Sequence, residues 1–173
     1  MKLLIIIDLL NGFCRNGNPL SLPTSTLSIE KEIEKRIETY IKRKDKIIFV
    51  NDAHSKNDSE INDPYPPHCL IGTKEAEIID SLRKYSNKNN TITKNTLSIL
   101  YNTDLNGILE KVKPTEIEIT GVCTDICVLF AVYELKIRGY NIIVNKNGVQ
   151  PLKVENQEFF LNYMRDLLGA KLK

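Results

Sequence analysis

The alternation of short apolar runs with amphipathic segments constrains the fold of this chain most strongly. The run at residues 2–8 is continuous and too short for a helix, which is typical of a strand buried on both faces of a parallel sheet. Strands are also predicted at residues 46–51, 91–94, 116–120 and 141–145, with a short last strand at 170–173. Helical periodicity separates them, at residues 29–43, 75–85, 104–112, 126–138 and 155–168. Strands that alternate with helices form a parallel sheet covered on both faces, so the sequence predicts a three-layer α/β/α fold.

The length of 173 residues suits one domain, which we place at residues 1–173. With 24 basic and 22 acidic residues the net charge is only +2, so no basic surface for nucleic acid is predicted. No apolar stretch is long enough to span a membrane, and no leader segment is recognisable. The four cysteines lack the paired spacing of a disulfide framework or a zinc ribbon. We therefore expect a cytoplasmic protein with reduced thiols and with no nucleic acid or membrane partner.

Chemically active side chains follow the predicted strands where each one ends. Asp8 ends the first strand, and Asp52 and His54 follow the second. Lys94 ends the third strand, and the turn Gly121–Cys127 follows the fourth. Ligands of open α/β sheets bind beyond the carboxyl ends of the strands. Any one of these residues alone could be an ordinary loop residue, but their coincidence at one edge indicates a functional site.

Cys127 is predicted to lie in the first turn of the helix after the fourth strand. The free backbone N–H groups and the positive dipole end of a helix favour the thiolate, the reactive form of cysteine. A cysteine nucleophile also needs a base, a charge-balancing group and donors for an oxyanion. Asp8, Lys94 and the backbone N–H groups of Cys123 and Cys127 could fill these roles. The alternative is that Cys127 is a small core residue.

Both histidines of the chain lie where they could bind a metal ion. Asp52 and His54 stand on the same side of an extended segment, and His68 follows a stiff Pro-Pro pair. Three such ligands leave positions open for water or substrate, which is the pattern of a catalytic rather than a structural metal. On spacing alone, two loop histidines and a solvated aspartate explain the pattern equally well.

Five ordered segments match the motifs of one enzyme family. Ile7–Phe13 resembles its D-x-Q-N-D-F segment, and Asn51–His54 resembles its D-x-H. Tyr65–Thr73 resembles F-P-P-H-C-x-x-G-T, and Lys94 stands where the family has a lysine. Gly121–Cys127 resembles the G-V-A-T-D-x-C segment around the nucleophile. The family is that of the isochorismatase-like cysteine hydrolases, within which the chain is most similar to the nicotinamidases, and the match runs nearly end to end.

The resemblance implies a Rossmann-like fold with a six-stranded, mostly parallel sheet. It implies a catalytic triad of Asp8, Lys94 and Cys127. It also implies a cis peptide between Val122 and Cys123, which would aim two N–H groups at the oxyanion.

A metal site is implied as well. One divalent ion, Zn²⁺ ahead of Mn²⁺ or Fe²⁺, would be bound by Asp52, His54 and His68. Glu60 falls near the position of an additional carboxylate found in some nicotinamidases.

The departures from the family pattern concern the substrate. Leu10 and Gly12 replace a Gln and an Asp of the first motif, and Leu97 replaces an aromatic residue. Phe13 and Tyr65 remain to sandwich a flat ring. The substrate pocket is therefore expected to be less aromatic than in the family, and Leu97 is expected to contact the substrate.

Three classes of function remain open. The first is a metal-assisted cysteine amidohydrolase of a small carboxamide, most simply nicotinamide, or of a carbamoyl-amine or ureido compound. The second is a redox protein that uses Cys123 and Cys127, although their spacing is not the C-x-x-C of thioredoxins. The third is a ligand-binding or scaffold domain, against which the lack of a G-x-G-x-x-G after the first strand counts. The expected partners are a small-molecule amide and, in a homo-oligomer, further copies of the chain.

Overall fold

The structure, a computed structural model, describes residues 1–173 and contains one sheet of six strands. The strands are β1 (Lys2–Ile7), β2 (Lys46–Asp52), β3 (Thr91–Lys94), β4 (Glu116–Val122), β5 (Ile142–Gln150) and β6 (Lys171–Leu172). They lie in the order β3-β2-β1-β4-β5-β6, and every neighbouring pair is parallel. The predicted α/β class with a parallel six-stranded sheet is confirmed.

Six helices cover the two faces of the sheet: α1 (Asn11–Cys14), α2 (Leu27–Arg43), α3 (Asp80–Arg83), α4 (Leu105–Val112), α5 (Cys127–Lys136) and α6 (Gln157–Asp166). Successive side chains of β1 point to opposite faces. Leu3 and Ile5 join the apolar cluster beneath α4, α5 and α6, whereas Leu4 and Ile6 join the cluster beneath α1, α2 and α3. Burial on both faces explains why β1 is apolar from Leu3 to Ile7. None of the helices is both long and apolar enough to cross a membrane.

The helix predicted at residues 75–85 is wrong in its extent. The chain instead makes a 3-10 turn at Lys74–Ala76 and, after an extended segment, the short helix α3. In the extended segment the Glu77 carbonyl accepts the Asn11 N–H, and the Ile79 N–H donates to the Leu9 carbonyl, both at 3.0 Å. These bonds tie the segment to Leu9 and to the first residue of α1, so its backbone groups are not available to a helix.

The fifth strand is longer than the predicted residues 141–145. Its pairing with β4 shifts at a bulge, after which Gly121 pairs with Val149 and Val122 with Gln150. The bulge lets polar residues 145–147 interrupt the apolar pattern without ending the strand. The short last strand is confirmed as β6, which pairs with β5.

The strand order reverses between β1 and β4, which places a ligand cleft beyond the carboxyl ends of these two strands. The strands approach closely there. A Cβ atom on Gly121, whose φ is +114°, would lie 2.0 Å from the carbonyl oxygen of Ile7. Only glycine fits this position, and its small size lets the turn after β4 lie directly against the end of β1.

Candidate active site

Strand register brings three polar side chains together at the carboxyl ends of β1, β2 and β3. Asp8 follows β1, Asp52 ends β2 and Lys94 ends β3. Asp52 and Lys94 are direct register partners on neighbouring strands. All three side chains are buried. Cys127, the first residue of α5, is buried beside them, at 6% exposure.

Lys94 is the centre of this group. Its Nζ lies 3.0 Å from Asp8 Oδ2 and 3.7 Å from Cys127 Sγ, and it forms an ion pair with Asp52 Oδ1. Burial opposes the charged form of Lys94, but the two carboxylates, Asp52 ahead of Asp8, outweigh it and hold the pKa of Lys94 well above its usual value. The side chain is therefore a permanent cation between two carboxylates and a thiol.

The two carboxylates titrate differently because only one of them is well paired. Burial, with a further contribution from Asp52, raises the pKa of Asp8 to about 6, against the opposing effect of Lys94. Burial also disfavours the charge of Asp52, but Lys94, His54 and His68 together lower the pKa of Asp52 far below its ordinary value. Asp52 is thus ionised at every physiological pH, whereas Asp8 can take up and release a proton near neutrality.

Cys127 lies at the start of a helix as predicted, yet its burial governs its titration. Burial raises the pKa of the Cys127 thiol well above its usual value, and the Lys94 ammonium lowers it only in part. Burial therefore works against the thiolate that the helix N-terminus and Lys94 favour. Carboxylate and sulfur atoms of Asp8, Asp52 and Cys127 lie within 4.8 Å of one another, so a base stands close to the thiol.

The turn between β4 and α5 leaves two backbone donors free. The peptide bond between Val122 and Cys123 is cis. The N–H groups of Ile126 and Val128 both donate to the Cys123 carbonyl, at 3.0 and 3.1 Å. The N–H groups of Cys123 and Cys127 make no hydrogen bond within the protein. Because both cysteines line the adjoining pocket, these donors are available to a ligand there.

The three predicted metal ligands converge. One donor atom from each of Asp52, His54 and His68 lies within 4.8 Å of the others, and all three residues are buried. His54 Nε2 is 3.6 Å from Asp52 Oδ1, and His68 Nε2 is 3.7 Å from Asp52 Oδ2. Two ligands of a tetrahedral Zn²⁺ with bonds of about 2.1 Å stand about 3.4 Å apart, close to these separations.

The polar atoms of this cluster also fit a cation. Both ring nitrogens of His54 are buried without a hydrogen-bond partner. His68 Nδ1 lies 2.8 Å from the Pro66 carbonyl, which makes Nδ1 the donor and leaves the Nε2 lone pair directed to the cluster. A divalent ion would bind lone pairs that no protein group satisfies.

One further carboxylate contacts the cluster. Asp58 Oδ2 lies 3.6 Å from His54 Nδ1, on the opposite edge of the ring from Asp52, a contact that the sequence analysis missed. Glu60, considered as an additional metal ligand, is not part of the three-residue cluster. Its Oε1 instead accepts the N–H of Leu97 at 2.7 Å and so holds the pocket wall in place.

A largely apolar pocket, part of it open to solvent, adjoins the thiol and the metal-type cluster. The predicted substrate contacts Phe13, Tyr65 and Leu97 all line it. The Phe13 and Tyr65 rings meet the ring of His68 edge-on, with centroids 5.7 and 6.0 Å away. Sequence analysis missed three other apolar lining residues, namely Leu20, Ile126 and Leu152.

Asp125 ties a distant segment to the turn between β4 and α5. Its carboxylate accepts the backbone N–H of Leu152 at 2.9 Å, the backbone N–H of Lys153 at 3.4 Å and the side-chain amide of Asn156 at 2.8 Å. These bonds hold the 151–156 segment, and with it the pocket residue Leu152, against the turn that carries Cys127. The only sequence signal for this contact is the Asp in the motif around Cys127.

Comparison with known proteins gives similarity over the full length. The profile of the isochorismatase domain matches residues 2–172. The structure of nicotinamidase PncA from Bacillus subtilis is 28% identical, with a TM-score of 0.90 over 99% of this chain and 98% of that one. The pyrazinamidase/nicotinamidase of Streptococcus mutans is 29% identical, with a TM-score of 0.90 over 100% of both chains. N-carbamoylsarcosine amidase of Thermoplasma acidophilum is 27% identical, with a TM-score of 0.86 over 100% and 96% of the two chains.

Proposed function

Since this chain belongs to the isochorismatase family, we propose that it is a cysteine amidohydrolase that converts a small aromatic carboxamide, nicotinamide first, to the carboxylic acid and ammonia. The observation that carries the proposal is the position of Lys94, within 3.0 Å of Asp8 and 3.7 Å of Cys127 beside an apolar pocket. A base, a cation and a nucleophile in mutual contact are the parts that acyl transfer requires.

The reaction begins with proton transfer. Asp8 takes the proton of the Cys127 thiol as Sγ attacks the carboxamide carbon, since burial disfavours a free thiolate. Lys94 balances the negative charge that passes from Asp8 to the sulfur. The free N–H groups of Cys123 and Cys127 donate to the oxygen of the tetrahedral intermediate.

Asp8 then returns the proton to the leaving nitrogen. Ammonia departs as the C–N bond breaks, and the acyl group remains on Cys127 as a thioester. Water, deprotonated by Asp8, attacks the thioester carbon and releases the acid and the thiol. A pKa of about 6 lets Asp8 serve as base and as acid in turn near neutral pH.

Asp52, His54 and His68 would hold one divalent ion, with Zn²⁺ the best match to the nitrogen and oxygen donors. When bound, it would supply a Lewis acid that orients the substrate and polarises its carboxamide through the ring. Phe13 and Tyr65 flank the adjoining pocket and exclude water from the ring.

A carbamoyl-amine substrate is the second candidate. It is favoured by the similarity to N-carbamoylsarcosine amidase and by Leu97, which offers a less aromatic wall than the family pattern. The same thioester-type chemistry at Cys127 would serve both classes, because both substrates carry a C(=O)–NH₂ group.

Ammonia release from the purified protein tests both candidates. Nicotinamide, pyrazinamide, N-carbamoylsarcosine and a simple ureide should be compared with Cys127→Ala as the inactive reference. Release from nicotinamide with thioester formation on Cys127, seen as an adduct by mass spectrometry, supports the first candidate. Turnover of the carbamoyl compound alone supports the second. No release from any of the four amides would contradict the proposed function.

A further inference from the structure

Glu134 joins α5 to the residues that follow β3. It lies on α5 about two turns beyond Cys127. Its Oε1 accepts a hydrogen bond from the Ser98 hydroxyl, and its Oε2 accepts the backbone N–H of Ile99 at 3.0 Å. Both oxygens of this carboxylate therefore bind the stretch after β3, which we call the wall segment (residues 95–99).

The hydroxyl of Ser98 has a single proton, and its other partners direct that proton to Glu134. Ser98 Oγ accepts the backbone N–H groups of Leu100 at 3.1 Å and of Tyr101 at 2.8 Å. With both lone pairs in use, the hydroxyl can only donate, and its acceptor is the Glu134 carboxylate. A bond to an ionised acceptor is also stronger than a bond between neutral groups. Glu134 thus fixes the conformation of the wall segment.

The wall segment forms one side of the pocket beside the thiol. Leu97 lines this pocket together with Ile126 and Cys127, at the start of α5. A ligand of the pocket must therefore fit between the wall segment and the start of α5. Because Glu134 belongs to α5 and binds the two residues after Leu97, it controls how far apart these two sides stand.

The wall segment is held at two other points, and both belong to the loop after β2. Glu60 Oε1 accepts the N–H of Leu97 at 2.7 Å, and Asp58 Oδ1 accepts the Asn95 side-chain amide at 3.0 Å. Of these three carboxylates only Glu134 comes from the helix that carries the thiol. Its loss should therefore shift Leu97 relative to α5 and leave the contacts with the loop in place.

We propose that Glu134 is a positioning residue that sets the width of the pocket and thereby the size of the amide that reaches Cys127. The proposal rests on the proposed amidohydrolase function, since it takes this pocket as the substrate site. Glu134 does not line the pocket and acts through Leu97. Apolar packing of Ile99 also holds the wall segment, but packing is not directional, whereas two hydrogen bonds to one carboxylate fix the orientation of the segment.

Alkylation of Cys127 by two reagents of the same chemistry and different size tests the proposal without any need for turnover. Iodoacetamide is small, whereas iodoacetanilide carries a phenyl ring that must enter the pocket. In Glu134→Ala the ratio of the iodoacetanilide rate to the iodoacetamide rate should rise at least about threefold, because the loosened wall segment admits the ring more readily. Tandem mass spectrometry assigns the adducts to Cys127 and measures both rates.

Three further variants examine the hydrogen bonds themselves. Ser98→Ala removes one of the two bonds and should raise the alkylation ratio less. Combined with Glu134→Ala it should add nothing, because both changes remove the same contact. Glu134→Gln keeps the side-chain volume and one acceptor oxygen, so it provides the test if Glu134→Ala folds poorly. The matched control is Glu116→Ala, which removes a carboxylate that pairs with Lys2 at the amino-terminal ends of the strands and should leave the ratio unchanged.

Turnover separates a positioning role from a merely structural one. Glu134→Ala should raise KM for nicotinamide at least about threefold with a smaller change in kcat, since the wall of the pocket moves and the thiol does not. A bicyclic analogue such as a quinoline carboxamide should lose less. A general loss of stability would instead lower the turnover of both amides alike.

An alkylation ratio that is unchanged in Glu134→Ala, or that rises as much in Glu116→Ala, would overturn the proposal even in an active amidase. An equal loss of turnover for the small and the bicyclic amide would do the same. If the ratio rises as expected but the unmodified protein releases ammonia from no amide, the proposed function is wrong and the role of Glu134 in the pocket stands.

Discussion

Asp52 and Lys94 are register partners on β2 and β3, and their side chains form a buried ion pair. The pair joins two sets of residues that the sequence presents separately. Lys94 belongs with Asp8 and Cys127, whereas Asp52 belongs with the two histidines. Substitution of either member of the pair should therefore affect both the residues around Cys127 and the residues of the metal-type cluster.

Lys94→Met should cost both activity and stability. It leaves two carboxylates buried side by side without their cation, and removal of one partner of a buried ion pair costs roughly 3–5 kcal/mol. Turnover should fall at least about a hundredfold, because the charge-balancing group is gone. Urea unfolding and ammonia release measure the two effects. Lys84→Met is the matched control, since Lys84 pairs with Glu34 at an exposed site and the variant should leave the free energy of unfolding almost unchanged.

Cys127→Ala should abolish turnover without loss of fold. The sulfur is the only group in the pocket that we assign as nucleophile, and alanine fits the space it leaves. Cys123→Ala is the matched control in the same pocket and should keep most of the activity, since it retains its backbone N–H. The assignment fails if Cys123→Ala is the inactive variant or if Cys127→Ala turns over normally. Circular dichroism shows whether both variants remain folded.

The rate should fall on the acid side of about pH 6. Asp8 must be ionised to accept the proton of Cys127, and its pKa is raised to about 6, so kcat/KM should fall about tenfold per pH unit below that value. Asp8→Asn should lower turnover at least about a hundredfold. If kcat/KM instead falls only below about pH 4, where an ordinary carboxyl titrates, Asp8 is excluded as the base.

Asp8→Asn should also raise stability at pH 7. The pKa of Asp8 is higher in the folded state than in the unfolded chain, so the folded state binds the proton more tightly. Its contribution to stability is present below the unfolded pKa and is lost as pH rises to about 6. The neutral amide avoids this loss. The free energy of unfolding of the Asp8→Asn variant should therefore exceed that of the unmodified protein at pH 7 but not at pH 3. Urea titrations at the two values measure the difference.

A divalent ion should copurify with the protein, and its binding should depend on His54. Elemental analysis should find a divalent ion in the unmodified protein and none in His54→Ala. Asp58→Asn, which alters the group facing His54 Nδ1, should weaken Zn²⁺ binding in calorimetry about 10–100-fold. Chelation should raise KM, while iodoacetamide still alkylates Cys127. If the purified protein contains no divalent ion and its activity does not change with chelator, then His54 and His68 do not bind a functional metal.

Sequence periodicity predicted the fold well because β1 is apolar on both faces and short apolar runs alternate with amphipathic helical segments along the chain. It failed at residues 75–85, where hydrogen bonds to Leu9 and Asn11 replace a helix. Those bonds are long-range contacts, which local periodicity does not report.

The candidate site was likewise only partly predictable from the sequence. Position at or after the end of a strand was enough to select Asp8 and Lys94, and residue type together with the family resemblance selected the candidate metal ligands Asp52, His54 and His68. The pairing of Asp52 with Lys94 depends on strand register, and the high pKa of the Cys127 thiol depends on its depth of burial. Neither strand register nor depth of burial can be read from a single sequence.

Asp125 should control substrate binding rather than the reactivity of the thiol. Its carboxylate accepts three hydrogen bonds from the 151–156 segment, which carries the pocket residue Leu152. Asp125→Ala removes all three acceptors, so the segment should loosen and KM for the carboxamide should rise about tenfold, equivalent to about 1.4 kcal/mol. Asn156→Ala removes only one of these bonds and should have a smaller effect on KM. The alkylation rate of Cys127 by iodoacetamide should stay unchanged in both variants, because neither residue contacts the sulfur. A change in alkylation rate with KM unaffected would mean that Asp125 positions Cys127 and not the pocket wall.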